Sequence, residues 1–425
     1  MARKIGLYGM IAYFLYALFF YWYLFYFSNT SLPFEYEGTQ ADPATFLNAR
    51  ELMLSEEYSK IRNLLFFLST PFEWLFYLII LITGLSNAFK KWAGQSSKYK
   101  MVQTAIYTIL LSFFAFVATF PLSYISYSLS KSYNISTQSF PSWMKDELID
   151  FWLSFGTMFI IVTVVYWLMK KSKKRWWLYA WGLSVPFTLF IMFLQPVVID
   201  PLYNDFYPLK DKQLEAKILE LASKANIPAE HVFEVNMAEK TNSLNAYVTG
   251  IGSNSRIVLW DTTLNRLSDD QILFIMAHEM AHYVEKHLYI GIAGYLLLSL
   301  VGLYITARLM EWIVNKWGEA LKIPAVNDIR SFPLFLMILS MLMFASSPIS
   351  NFVSRYQESR ADHYAIEMTK NTEAGITTFQ ELSRAGLSQV NPPLLVKIFR
   401  YGHPTMLERI STIEEYELKT RSQKQ

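Results

Sequence analysis

The hydrophobic pattern along the chain is set by long runs without charge, at 5–27, 63–89 (broken only by Glu73), 101–130, 151–169, 176–199, 288–307 and 331–354. A hydrocarbon core about 30 Å thick takes roughly 20 helical residues to cross. Lipid offers the main chain no hydrogen bonds, so runs of this length are expected as helices. The pattern predicts seven membrane-spanning helices. Between the fifth and sixth it changes character: residues 200–287 are one long polar insertion. There "KDKQLEAKILELASKANI" sets Leu214, Ile218, Leu219 and Leu221 in helical rhythm, while "HVFEVNM", "NAYVTG" and "SRIVLWD" read as short strands.

The expected fold class is therefore mainly α, a polytopic membrane protein with a small α/β module. The expected divisions are five membrane helices in 1–199, the insertion in 200–287, two further membrane helices in 288–354, and a charged helical tail in 355–425 that frays in "YELKTRSQKQ". The first apolar run is longer than the core of a signal peptide and no small-x-small cleavage pattern follows, so it is expected to stay as an anchor.

Composition narrows the chemistry. The chain has no cysteine, which excludes disulfides, thiolate catalysis and thiolate metal ligands. Its formal charge of +3, from 38 basic and 35 acidic residues, is too balanced to imply a nucleic-acid partner. The basic residues gather in alternate loops: fifteen lysines and arginines fall on the side of the N-terminus and five in 28–62 and 131–150. By the positive-inside rule the N-terminus is cytoplasmic, which puts 200–287 and the tail on the outer face of the cell membrane. The oligomeric state is left open, a monomer included.

The chemistry is concentrated in "ILFIMAHEMAHYVEKHLY", just ahead of the sixth run. His278 and His282 stand four apart and share one face of a helix, so they can share a metal ion. Glu279, turned by about 100°, can reach a water beside that ion. Chance places this HExxH spacing in roughly 0.7% of chains of such composition. A catalytic zinc needs a third protein ligand and an open corner; the candidates are His287, Glu285, Glu358, His363 and His403. "SRYQESRADHYA", after the seventh run, sets Glu358 and Asp362 four apart. Glu358 would bind the metal there, and Asp362 would accept from a ligand imidazole to fix its tautomer. Because the sixth span starts where the seventh ends, both segments fall in the same layer of the membrane plan under either orientation. His231 reads as structural or solvated, His287 as an interfacial group or a support to a ligand, and His363 as incidental. His403, in "YGHPTMLERI", marks a helix start with Arg409 on the same helix.

These segments carry a family likeness. "LQPVVIDPLYNDFYPL", "SLNAYVTG", "RIVLWDTTL", "HEMAH", "SRYQESRAD" and "GHPTMLERI", in that order, resemble the integral-membrane zinc endopeptidases of the CAAX prenyl endopeptidase family. The resemblance implies a seven-helix barrel around a large water-filled chamber, capped by the catalytic module. It implies one zinc ion per chain on His278, His282 and Glu358, with Glu279 as general base and acid and Asp362 behind the ligands. It also implies His403 and Arg409 near the metal, steadying the oxyanion or holding the site together, and an edge strand, Asn245, Ala246 and Tyr247, that binds substrate through its main chain. The expected function is hydrolysis of hydrophobic or membrane-proximal peptides within the bilayer. The contrasting expectation is a seven-helix transporter or receptor carrying a degenerate protease module.

Overall fold

The computed structural model describes residues 1–228, 231–249 and 256–422. Helix α1 (Ala2–Trp22) runs on through a wide turn to Phe27 and is followed by a short α2 (Pro43–Phe46). Helix α3 (Ala49–Thr83) starts on a reciprocal cap, in which Asn48 accepts from the Glu51 amide and Glu51 accepts from the Asn48 amide. It ends at Gly84, whose φ of 84° is left-handed. A Cβ at that position would meet the Lys322 Nζ at 2.7 Å. The apolar run expected to span 63–89 is thus cut at Thr83, and Leu85–Ser96 forms a separate helix, α4, with Phe89 and Ala93 buried.

Next come α5 (Lys100–Ser132), α6 (Phe140–Lys171), α7 (Trp176–Leu194) and a short α8 (Asp200–Tyr203). The polar insertion supplies β1 (Phe206–Pro208), α9 (Lys212–Lys224), β2 (Val232–Val235), β3 (Ala246–Thr249), β4 (Arg256–Trp260), α10 (Asp261–Arg266) and α11 (Asp269–Val284). The chain closes with α12 (His287–Trp317), α13 (Phe332–Thr369), α14 (Thr372–Gly386), α15 (Leu394–Arg400) and α16 (Met406–Ser422). The fraying expected from residue 416 onward is not seen through Ser422, and residues 423–425 lie outside those described.

Seven of these helical stretches are long and apolar enough to cross a membrane: Ala2–Phe27, α3, α5, α6, Trp176–Tyr203, α12 and Ile329–Thr369. Neighbours pack in the circuit α3, α5, α6, α7, α12, α13 and back to α3, with α1 laid along α3. The apolar stretch of α12 has no buried residue, so this span is lined by neighbours only thinly.

The four strands form one sheet in the order β1-β2-β4-β3, with β2 and β4 parallel and the outer pairs antiparallel. All three strands expected from sequence are present; β1, only three residues long, carries no periodic signal. Strand β3 is an edge. Helix α11 lies between two cores: Ile272, Met276 and Met280 pack with the sheet and α9, while Phe274 and Ala277 pack with α13, α14 and α16. A helix apolar on both flanks must be buried. On α11 the buried Ala277 and Ala281, and on α13 the buried Ala361 and Ala365, are small enough to let the two backbones approach closely.

Candidate active site

Close packing of α11 on α13 brings the two sequence segments together. One ligand atom each from His278, His282 and Glu358 lies within 4.8 Å of the others. His278 Nε2 is 3.1 Å from Glu358 Oε2 and 3.3 Å from His282 Nε2, and His282 Nε2 is 3.5 Å from Glu358 Oε1.

The hydrogen bonds behind these atoms fix which nitrogens carry protons. His278 Nδ1 lies 2.8 Å from Asp362 Oδ1, a carboxylate that can only accept. Asp362 is itself clamped by Arg409, whose Nε and Nη2 donate to its two oxygens at 2.9 and 2.6 Å. On the other imidazole, His282 Nδ1 lies 2.9 Å from His287 Nδ1, and His287 Nε2 donates to Glu285 at 3.2 Å. Glu285 is held at both oxygens by Arg360. With neutral rings, His287 must therefore accept at Nδ1, so His282 donates there and keeps a lone pair at Nε2. His278 does the same. Two imidazole lone pairs and Glu358, whose Oε2 is buried and accepts no hydrogen bond, then face one another. That donor set fits a divalent cation such as zinc, which takes just such nitrogens and carboxylate oxygen, and the facing lone pairs repel without one.

The titrations follow. Burial works against a second proton on His278, but without a metal the Asp362 bond at Nδ1 and the Glu358 carboxylate facing Nε2 outweigh it and hold the ring protonated up to about 9, so a cation must displace the Nε2 proton. His282 goes down to about 4, through burial and then the charge of His278. Glu279 is pushed up to about 7 by burial, with His278 opposing and Glu358 adding to the rise. The main chain of Val248 hydrogen-bonds to it, which ties Glu279 to the edge of the sheet.

His278, Glu279, His403, Arg409, Asn245 and Ala246 line one cavity of about 480 Å³. His403, just ahead of α16 rather than within it, turns an exposed ring toward the site with Nε2 3.4 Å from Glu358 Oε2. Arg409 is 6% exposed and stacks 4.0 Å over Phe379, with Nε and Nη2 spent on Asp362. It anchors Asp362 from behind, the second of the two roles that the resemblance left open for it.

The expected role of Asn245 also changes. Its amide donates to Thr263 at 2.9 Å, and its carbonyl accepts from the Trp260 amide at 3.1 Å and the Thr263 hydroxyl at 2.8 Å. Antiparallel pairing alternates, so Tyr247, opposite Val258, likewise turns its main chain to β4, while Ala246 and Val248 turn theirs to the free edge. The Tyr247 side chain lines a neighbouring cavity of about 530 Å³ with Asp200 and Trp260.

His363 is exposed, as an incidental residue should be, and so is His231. Sequence reasoning missed Arg360 and the part of Glu285 in the relay through His287. Arg360 follows Glu358 by two residues, a spacing that points away from Glu358 on a helix, so only the fold reveals its partner.

A membrane-embedded metallopeptidase is the class that this fold and this site define. Residues 208–417 match the model of peptidase family M48, and 39–205 match the CAAX prenyl protease N-terminal region of five membrane helices. An uncharacterized metalloprotease, YhfN, of Bacillus subtilis is 54% identical over 407 residues, covering 96% of either chain. A CAAX prenyl protease 1 homolog of Dictyostelium discoideum is 28% identical over 331 residues, 73% of this chain and 75% of its own. The crystal structure of S. mikatae Ste24p superposes with a TM-score of 0.78 at 23% identity, covering 97% of this chain and 98% of that one. The chain belongs to peptidase family M48. It is a multi-pass membrane metalloprotease, and the transporter or receptor expectation falls with that finding.

Proposed function

We propose that this chain is a zinc endopeptidase that cuts hydrophobic or membrane-proximal peptide segments, with one ion per chain held by His278, His282 and Glu358. The observation that carries the reading is the hydrogen-bond chain that leaves both imidazoles with inward lone pairs opposite a buried carboxylate. When bound, zinc supplies Lewis acidity that polarises a water and the peptide carbonyl.

Everything else falls to side chains. Glu279 takes the proton of the attacking water at its carboxylate and passes it to the departing amine; a pKa raised toward neutrality suits both transfers. His403, exposed to the cavity beside Glu358, donates to the oxyanion. Asp362 and the His287–Glu285 pair hold the tautomers of His278 and His282, and Arg409 and Arg360 hold those carboxylates in turn. A substrate lies extended on the free edge of β3 and donates to the outward carbonyl of Ala246, whose own N–H is given to Asn245 Oδ1. The bilayer delivers such segments to the site, and the lysine and arginine bias puts it on the outer face. We take 200–287 and 355–425 as the two parts of the catalytic module, and 1–199 with 288–354 as its membrane frame.

The test is to purify the chain in detergent, measure zinc per chain, and map cleavage of an apolar peptide library with and without a chelator. Chelator-sensitive cutting is expected; a zinc-loaded chain that cuts nothing overturns the reading.

A further inference from the structure

The catalytic cavity carries a positive end that the hydrolytic machinery does not use. Besides the metal-site residues it is lined by Arg62, from α3, and Arg400, from the end of α15. No carboxylate among the described residues is an ion-pair partner of either. Arg62 lies over the Tyr58 ring at 5.7 Å, and Arg400 lies over Phe66 at 5.5 Å and donates to Asn63 Oδ1. Burial, and then the like charge of Arg62, push the Arg400 guanidinium down to about 10, so the two cations face each other at a cost.

A second observation lies beside them. Gln389 lines the same cavity and is only 3% exposed, yet neither its amide nitrogen nor its oxygen has a hydrogen-bond partner. Buried polar atoms are normally paired, so an unpartnered amide at a cavity wall marks a place for a ligand. The three residues come from separate elements that are tied together. The Ser59 hydroxyl of α3 donates to the Leu387 carbonyl at 3.1 Å, and Arg355 of α13 donates to the Lys397 and Tyr401 carbonyls at 2.9 and 2.7 Å.

We propose that Arg62, Arg400 and Gln389 form a carboxylate-binding subsite, which grips a peptide substrate by a carboxylate on the C-terminal side of the bond that is cut. The inference rests on the endopeptidase reading. A peptide added antiparallel to β3 points its C-terminal side toward Ser243–Asn245, residues that line the same cavity as the two arginines. Guanidinium forks match a carboxylate with two parallel donors, and the Gln389 amide adds a third. The carboxylate has two possible sources, the free C-terminus of the peptide or an aspartate or glutamate side chain near the cut.

The full chain, zinc-loaded and in detergent, tests this by binding and by cleavage. In the first arm Leu-Leu-Leu with a free carboxylate and its C-terminal amide are titrated against the Glu279→Gln variant. In the second, apolar quenched peptides are compared as acid against amide and as glutamate against glutamine in the residues after the cut. Charge-assisted bonds of this kind favour the carboxylate form by about tenfold or more. That preference is expected in at least one pair, and is expected to shrink toward one in R62Q/R400Q on the same background. Equal handling of both pairs overturns the subsite. So does a preference that survives in the double variant, because the carboxylate then goes to the metal. Failure to cleave any peptide overturns the endopeptidase reading alone, since the binding arm needs no turnover.

Discussion

Asp362 is where the metal site and the stability of the fold meet, and the near-isosteric Asp362→Asn separates the two. In the native protein the carboxylate is 2% exposed and takes two bonds from Arg409, itself 6% exposed, and one from His278. Asparagine keeps the shape and one acceptor but removes the charge, leaving the Arg409 guanidinium buried without its counter-ion. Stranding one member of a buried pair costs about 3–5 kcal/mol. The retained amide acceptor and the nearby Glu358 and Glu279 place the expected loss near the lower end, at about 3 kcal/mol. His278 meanwhile donates to a neutral amide, and zinc affinity falls by about 10- to 100-fold. Unfolding in mixed detergent and SDS micelles, followed by fluorescence of the 12 tryptophans, gives the first quantity. Competition with a zinc-binding dye gives the second. The double variant D362N/R409M, which removes both charges, should recover part of the stability but none of the zinc affinity. The reasoning is refuted if D362N costs under about 1 kcal/mol, the range of an ordinary exposed pair, or if the double variant is less stable than the single.

Three further outcomes are expected. Glu279→Gln keeps zinc at one per chain and lowers kcat by about 10²–10⁴-fold, the usual contribution of a general base; full activity removes the assignment. Glu358→Ala sharply lowers zinc content by elemental analysis, and an unchanged stoichiometry removes Glu358 from the ligand set. His287→Leu takes away the acceptor of His282 Nδ1 and weakens zinc by about 10- to 100-fold, whereas His287→Gln, whose side-chain oxygen can accept, loses less. Equal losses in the two variants rule out a role in fixing the His282 tautomer.

The histidine pair and Glu358 were legible in sequence because a helix converts spacing of four into a shared face, and because the membrane plan put both segments at one level. Asp362 was legible for the same reason. Arg409 was found with two roles left open, because its distance along the chain says nothing about which side of Asp362 it takes. The strand residues divide in a similar way. A sequence shows that 246–249 alternate, but the parity of the hydrogen bonds, inward at Asn245 and outward at Ala246, is set by pairing with Trp260. Span ends were least legible. The pattern cannot tell an apolar surface helix from the end of a span, and Gly84 decides that by its φ. Arg62 and Arg400 stand 338 residues apart, as the bond from Arg400 to Asn63 implies for its neighbour, and no local signal joins them.

The two metal-bearing helices are anchored to the bilayer in unequal ways. Helix α13 is continuous from Phe332 to Thr369, with Pro348 inside it, so Glu358 and Asp362 ride on the same helix that is long and apolar enough to cross the lipid. The histidine helix stops at Val284, and Lys286 takes a left-handed φ of 58° before α12 begins, so the histidines hang from a joint. A bilayer of different thickness tilts its rods to match. Such a tilt of α13 carries the closely packed α11 with it while the joint absorbs the motion of α12, so the two halves of the ion cage travel together.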